Sequence, residues 1–317
     1  MFVNKLDIKE FRGIRKCEKP LEFSNFTVLT GRNNSGKSSI LEALSLLPAH
    51  SIRNYITRSS KEDLLVQLHQ NYKRLLYQYA GISVLRYNLK DTVIELTIRE
   101  NKFNTSFRGN VNPNSNLMAR YLDCKPSDLD KLVLFIPDNS ILDELERRMR
   151  ALKELIVKKG FHIELAKFLN RCVNDEYSEI VFLDPISLRK IYPDNKVYIQ
   201  LRDLGSGAEK VVKLMALFEV VEPRLIIIDD FEAGLHPSLL KLFLKWLKEK
   251  DWQIIISTHS IDVLYHLVDI NPRDTTILLL TKSNVDVLYH KSLKLEELEN
   301  ILNANNDPRL LADNLDL

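Results

Sequence analysis

The chain has 317 residues, 45% of them hydrophobic, which is enough to bury one large core or two modest ones, and its length favours two lobes. Lys and Arg number 45 against 43 Asp and Glu, a net charge of +2, so no overall field draws the molecule onto nucleic acid or an anionic membrane, and any basic groove must be local. Three cysteines without CxxC or zinc spacing (Cys17, Cys124, Cys172), no apolar run near the roughly 20 residues of a membrane helix, and no signal-peptide core after Met1 predict a cytoplasmic protein in a reducing compartment, without a structural metal or a membrane partner.

In chain order, Lys5 to Arg15 alternate apolar and polar side chains, the period of a half-buried strand. Phe26 to Leu29 form a short apolar strand, followed by the turn Gly31-Arg32-Asn33-Asn34-Ser35-Gly36-Lys37-Ser38-Ser39 and a helix. The helix carries its apolar stripe on Ile40, Leu41, Ala43, Leu44 and Leu47 and stops at Pro48. A second helix is expected over 61–79, with Ser60 as its cap and Asp63 three places on. Ile82–Leu89, Val93–Ile98 and Lys102–Phe107 read as antiparallel strands. The block from Ser51 to Lys131 holds 13 Lys/Arg and 8 Asp/Glu, net +5, the most basic part of the chain.

Leu132–Ile136 is apolar enough to be a buried strand. After it, Ser140 and Asp143 suit a capping box, and Leu142, Leu145, Met149, Leu152 and Leu155 predict a helix to about Lys158. A partner helix is expected over 163–173. A hairpin of 186–191 with 197–201 turns at Pro193-Asp194-Asn195. The chain closes with strands near 276–280 and 285–289 and a polar helical tail.

The turn after Phe26–Leu29 has the full GxxxxGKS spacing of a phosphate loop. A strand turning sharply into a helix aims several backbone N–H groups into one concavity that phosphates fill. Lys37 would reach the outer phosphates and the Ser38 hydroxyl would ligate Mg²⁺. Leu225–Ile228 is a continuous apolar run ending in Asp229-Asp230, as in a buried parallel strand whose C-terminal edge meets a ligand. Asp229 would hold Mg²⁺, and Asp230 would orient or deprotonate the attacking water. Gln253–Ser257 is another buried strand, leading through Thr258 to His259, and a lone histidine there is more often structural than catalytic. Asp203 to Glu209 open a helix whose N-terminus, with Ser206, is a second anion site. Two subunits facing head to tail would let one nucleotide use both sites.

The order phosphate loop, Gly205-Ser206-Gly207-Ala208-Glu209, Asp229-Asp230-Phe231-Glu232-Ala233-Gly234-Leu235-His236-Pro237 and Ser257-Thr258-His259-Ser260, with Ile8 to Ile14 at the start, resembles an ABC-type ATPase head. The resemblance is to the RecF, structural-maintenance-of-chromosomes (SMC) and overcoming-lysogenization-defect branch of AAA-type P-loop ATPases, and covers about residues 1 to 265. It implies an α/β P-loop NTPase fold, an ABC-ATPase-like head with a mixed and antiparallel β lobe and a helical lobe. Within a single head over 1–317, it implies an ATP-binding lobe with a β-rich insertion (1–136) and a helical stub and hairpin (137–203). The LSGGE-like segment, Walker B strand and H-loop (204–265) and C-terminal strands with a helical tail (266–317) complete it.

Two heads would enclose two Mg·ATP. Arg12, Gly31, Asn33, Asn34, Ser35, Gly36, Lys37, Ser38 and Ser39 of one subunit would hold the nucleotide, and Ser206, Gly207 and Glu209 would reach it from the other. His259 would contact the terminal phosphate. Asp230 stands where the family usually has Glu, one methylene longer, which predicts slow hydrolysis. Ala208 replaces the second glycine of the LSGGE motif. No glutamine follows Leu132–Ile136; Asp138, Asn139 or Ser140 stand in that place, or the Q-loop lies elsewhere.

The helical pair over 140–173 is too short for coiled-coil arms, and about fifty residues after the H-loop are too few for a Toprim nuclease domain. The expected function is an ATPase whose ATP-dependent homodimer engages DNA or a separately encoded effector such as a nuclease, as in repair or phage defence. The alternative is a nucleotide-sensing scaffold with little hydrolysis.

Overall fold

The computed structural model describes every residue except 101, 138–140, 174 and 312–317. Its chain runs β1 (Val3–Phe11), β2 (Ile14–Cys17), β3 (Leu21–Glu22), β4 (Phe26–Gly31), α1 (Lys37–Ser45), α2 (Lys61–His69), β5 (Ile82–Leu89), β6 (Val93–Arg99), β7 (Lys102–Phe107), β8 (Asn110–Val111), α3 (Ser115–Tyr121) and β9 (Val133–Ile136). There follow α4 (Leu142–Ala151), α5 (Lys153–Lys158), α6 (Phe161–Leu169), β10 (Glu179–Val181), β11 (Ser187–Ile191), β12 (Lys196–Gln200), α7 (Ser206–Val221) and β13 (Leu225–Ile228). The last elements are α8 (Pro237–Lys248), β14 (Gln253–Ser257), α9 (Ile261–Ile270), β15 (Thr275–Lys282), β16 (Val287–Lys294), α10 (Leu295–Asn303) and α11 (Pro308–Leu311). The chain divides into two compact units. The first comprises Met1–Pro137, Pro223–Phe231 and Asp251–Leu317, and the second Asp138–Glu222 and Glu232–Lys250.

The first unit is built on one mixed sheet of 13 strands, ordered β8-β7-β6-β5-β1-β2-β16-β15-β4-β14-β13-β9, with β3 beside β1. Strands β9, β13, β14, β4 and β15 are mutually parallel. Their sequences are near-continuous Ile, Leu and Val because both faces are covered, and every residue of β9, β13, β14 and β4 is buried. On the other flank β1, β5, β6 and β7 pair antiparallel and alternate buried with exposed positions. The amide of Gln253 ties the two regions together. Its Oε1 accepts from the backbone of Phe2 (2.9 Å) and Val3 (2.8 Å), while its Nε2 donates to the carbonyls of Val3 (2.8 Å) and Ser24 (3.0 Å). The second unit holds the antiparallel sheet β10-β11-β12 together with α4 to α8.

Several expected elements differ in detail. The alternating stretch from Lys5 to Arg15 is a hairpin rather than one strand: Phe11 pairs with Ile14 across Arg12 and Gly13, and Arg12 adopts φ 51°. The helix expected over 61–79 is capped by Ser60 as anticipated, Oγ accepting from the Asp63 amide at 3.0 Å, but it ends at His69. Gln70 turns left-handed there (φ 61°), and Asn71 then caps a short 3₁₀ turn by accepting from the Lys73 amide. The helix expected to run to Lys158 breaks at Leu152 into α4 and α5. Ile156 is buried and Leu155 exposed, because Ile156 and not Leu155 continues the helical spacing of Leu145, Met149 and Leu152. The cap assigned to Ser140 lies outside the described residues. Strands β15 and β16 are longer than expected because their ladder continues from Thr276↔Lys294 to Lys282↔Leu288.

Replacing Gln253 with Leu leaves the buried N–H groups of Phe2 and Val3 without their acceptor. The expected cost is about 2–4 kcal/mol of unfolding free energy, read as a lower urea midpoint at unchanged slope.

Candidate nucleotide site

Register builds this site. Ile228 of β13 lies beside Ile256 of β14, and Ile256 beside Val28 of β4, so three neighbouring parallel strands end on the same edge of the sheet, β14 one residue and β4 three residues beyond the end of β13. The chain leaves β4 into the phosphate loop, β13 into Asp229-Asp230, and β14 into Thr258-His259. In an open α/β sheet, a ligand is expected at such carboxyl ends.

Two glycines and Asn34 shape the loop. Gly31 has φ 146°, and a Cβ on it would stand 2.3 Å from the Leu280 carbonyl oxygen. Asn34 and Gly36 are also left-handed, at φ 63° and 96°. Arg32, Asn33, Asn34 and Ser38 are exposed, whereas Ser35, Lys37 and Ser39 are buried. The Lys37 ammonium donates to the carbonyls of Gly31 (3.0 Å) and Arg32 (2.8 Å) and reaches the Ser35 hydroxyl at 3.4 Å.

Asp229 is buried, and its carboxylate accepts from the hydroxyls of Ser257 and Ser38. Burial raises its pKa, the two hydroxyls oppose the rise, and the nearby charges of Asp230 and Glu42 add to it. A buried carboxylate beside a hydroxyl is a hard-oxygen pair suited to Mg²⁺. Among the described residues no group of three or more His, Cys, Asp or Glu side chains could hold a metal, so an ion here must complete its shell with phosphate and water oxygens. Asp230 is the opposite case. Its side chain is 57% exposed, its backbone is left-handed (φ 45°), and its Oδ1 lies 4.0 Å from Nε2 of His259. The His259 carbonyl accepts from Arg309 of α11 at 2.5 Å.

Arg12 is half-buried and makes an ion pair with the buried Glu42. Its guanidinium meets the Glu42 carboxylate, which also receives His69 Nε2 at 2.9 Å. Arg12, His69, Tyr77, Tyr79 and Asp286 share the lining of a cavity of about 470 Å³. Sequence reading missed Glu42 and His69 and gave Ser257 no role. A Glu inside a helix and a Ser ending a strand carry no signature, and their partners are brought in by tertiary folding.

In the second unit, α7 begins at Ser206 after Gly205 (φ 93°), and Ser206 is exposed. A Cβ on Gly207 would stand 2.2 Å from the Gly234 carbonyl oxygen, so this position takes only glycine. The Glu209 carboxylate pairs with the buried Lys213 at 2.6 Å, and Lys213 also meets Glu146 at 2.8 Å. His236 and Pro237 start α8, His236 Nδ1 accepting from the Ser238 amide (3.4 Å) and Pro237 occupying the first turn. Asp138, Asn139 and Ser140 lie outside the described residues.

The fold and this constellation define a P-loop ATPase head. A family model described as "AAA domain, putative AbiEii toxin, Type IV TA system" matches residues 84–264, more than half of the chain, and one described as "AAA ATPase domain" matches residues 1–133. The chain belongs to the first of these families and is an ATPase. A Helicobacter pylori protein named "ATP/GTP phosphatase" is 22% identical over an alignment covering 81% of this chain and 85% of the relative. An SMC head solved with the C-terminal winged-helix domain of ScpA superposes with TM-score 0.62 at 15% identity, covering 93% of this chain and 99% of that one. The recombination mediator RecF gives TM-score 0.52 at 14% identity, covering 91% and 98%. No helix among the described residues is long and apolar enough to cross a membrane.

Gly31→Ala is expected to cost about 2–4 kcal/mol of stability, since strain at φ 146° and overlap with the Leu280 carbonyl add. It should also remove detectable ATP binding, measured by calorimetry beside a thermal melt.

Proposed function

We propose that this cytoplasmic ATPase works as a head-to-tail homodimer around two Mg·ATP and couples that dimer to DNA or to a separately encoded effector. The observation that carries the reading is the exposed Ser206 at the N-terminus of α7, directly before a glycine packed against the Gly234 carbonyl. A helix N-terminus with close backbone access and an exposed hydroxyl is suited to a phosphate presented by another molecule.

In this reading the loop amides and Lys37 bind the phosphates, and the exposed Asp230 orients or deprotonates the attacking water with His259 at the terminal phosphate. Arg12, Asn33, Asn34, Ser35 and Ser39 complete the nucleotide's own side. Ser38 and Asp229 hold Mg²⁺, which neutralises charge on the phosphate oxygens. Ser206 and Gly207 act across the dimer, with Glu209 and Lys213 bracing the first turn of α7.

DNA is supported by the basic block over 51–131, although Arg58, Arg86 and Lys131 there pair with Asp130, Glu95 and Asp128. A protein effector is supported by the similarity to an SMC head that carries a winged-helix domain. The name of the Helicobacter relative supports testing GTP beside ATP. The second reading, a nucleotide-sensing scaffold with little hydrolysis, is favoured by one observation: Asp230 is a short acid in a left-handed turn.

Steady-state hydrolysis and particle mass test both readings. Lys37→Ala should lower hydrolysis by about 100-fold or more, while Asp230→Ala should lose hydrolysis yet form a stable dimer in Mg·ATP. Ser206→Arg should leave the Asp230→Ala protein monomeric. A wild type no faster than Lys37→Ala selects the scaffold, and Asp230→Ala that stays monomeric in Mg·ATP removes the dimer. If DNA is the partner, its affinity should fall steeply between 50 and 200 mM salt, on the order of tenfold or more.

A further inference from the structure

Ser257 is the last residue of β14, and its side chain is fully buried. Three consecutive positions of the chain leaving β13 are attached to it. The Ser257 hydroxyl contacts the Asp229 carboxylate, its oxygen accepts the Asp230 N–H at 2.8 Å, and its backbone carbonyl accepts the Phe231 N–H at 3.0 Å. Donor chemistry fixes the direction of each bond. A backbone N–H only donates, so the Ser257 oxygen spends a lone pair on Asp230, and its single proton goes to Asp229. The same carboxylate also receives the Ser38 hydroxyl of the phosphate loop.

We propose that Ser257 is the positioning residue of the acid pair: one hydroxyl orients the Asp229 carboxylate toward the phosphate loop and pins the backbone turn that presents Asp230 outward. The turn it pins is left-handed at Asp230 (φ 45°), a conformation that Asp tolerates better than most L-residues because its short polar side chain bonds locally. The hydroxyl thus joins two features that are otherwise separate, a buried acid and an exposed one, adjacent in sequence and held to one atom. An alanine here removes both bonds while filling nearly the same space. The inference rests on the reading of Asp229 and Ser38 as the Mg²⁺-holding pair.

The test compares wild type with Ser257→Ala, Ser257→Cys and Ser257→Thr, each checked by thermal melting. Binding of the slowly hydrolysed analogue ATPγS is measured by calorimetry with and without Mg²⁺, and kcat and KM for ATP are measured separately. Without Mg²⁺, affinities of all four proteins should agree within about twofold. With Mg²⁺, Ala and Cys should lose about tenfold of the tightening seen in wild type and about 10–100-fold in kcat, the range for removing an outer partner of a metal ligand. Thr, which keeps the hydroxyl, should stay within about threefold of wild type. If Ala does not fold, Cys carries the same expectation, its thiol filling the site while bonding weakly. The inference is overturned if Ala or Cys keeps wild-type Mg²⁺ dependence and kcat, or if Thr is as impaired as Ala, since shape and not the hydroxyl would then matter. Wild-type binding indifferent to Mg²⁺ instead overturns the role given to Asp229, and this inference with it.

Discussion

The parallel register of β13, β14 and β4 is the constraint on which the rest of the first unit depends. Parallel strands in this register deliver their following residues to one edge, so a loop, an acid pair and a histidine separated by more than two hundred residues of chain arrive together. A slip of one residue in any of these strands would turn its buried side chains to the opposite face and move its carboxyl end out of line. The Ile-rich sequences of β13 and β14 resist that slip only in combination with the polar residues at their carboxyl ends. Apolar runs pack almost equally well in neighbouring registers, whereas the bonds from Ser257 to residues 229, 230 and 231 are satisfied in one.

Around that edge, buried polar groups are held in small closed sets. The Asp229 carboxylate is matched by two hydroxyls, and the Glu42 carboxylate by Arg12 and His69. Burying a carboxylate is costly unless its oxygens are bonded, so each set makes its members' positions mutually dependent. Glu42 lies one helical turn beyond Ser38 on α1. The arginine of the β1–β2 turn is therefore anchored to the same helix that the phosphate loop opens into, and the hairpin that interrupts the expected first strand has a structural role in placing it.

Much of this was legible in the sequence, for physical reasons that differ by element. The phosphate loop, the acids after β13 and the histidine after β14 could be read because each comes after an apolar run of strand length, where short-range pattern and topology coincide. The strands Ile82–Leu89 and Lys102–Phe107 matched because period-two alternation is strong on a half-buried sheet. The helix ends did not match. His69 ends α2 because Gln70 takes a left-handed backbone, and nothing in a Gln announces that. Beyond Leu152 the buried position is Ile156 and not Leu155, and a step of three or four residues from Leu152 admits both. Ser257, Glu42 and His69 escaped for a common reason: their importance lies in partners 26 or more residues away, and a single hydroxyl, carboxylate or imidazole has no periodicity.

The two adjacent acids show how environment divides work between like groups. Asp229 is in the low-dielectric interior, where an uncompensated charge is disfavoured and a cation or a second hydroxyl is correspondingly welcome. Asp230 faces solvent, where water is at hand and a carboxylate is well hydrated. The buried place desolvates its acid and so strengthens any contact that acid makes to a cation, whereas the exposed place leaves its acid hydrated. The same turn that separates them also limits the length of the outer acid. A left-handed residue with its N–H bound to Ser257 suits Asp by backbone preference, so the short reach of the outer carboxylate goes with the geometry of the turn itself. The mount therefore sets how far the outer carboxylate extends, and a longer acid at 230 would have to adopt the same left-handed backbone with the same bond to Ser257.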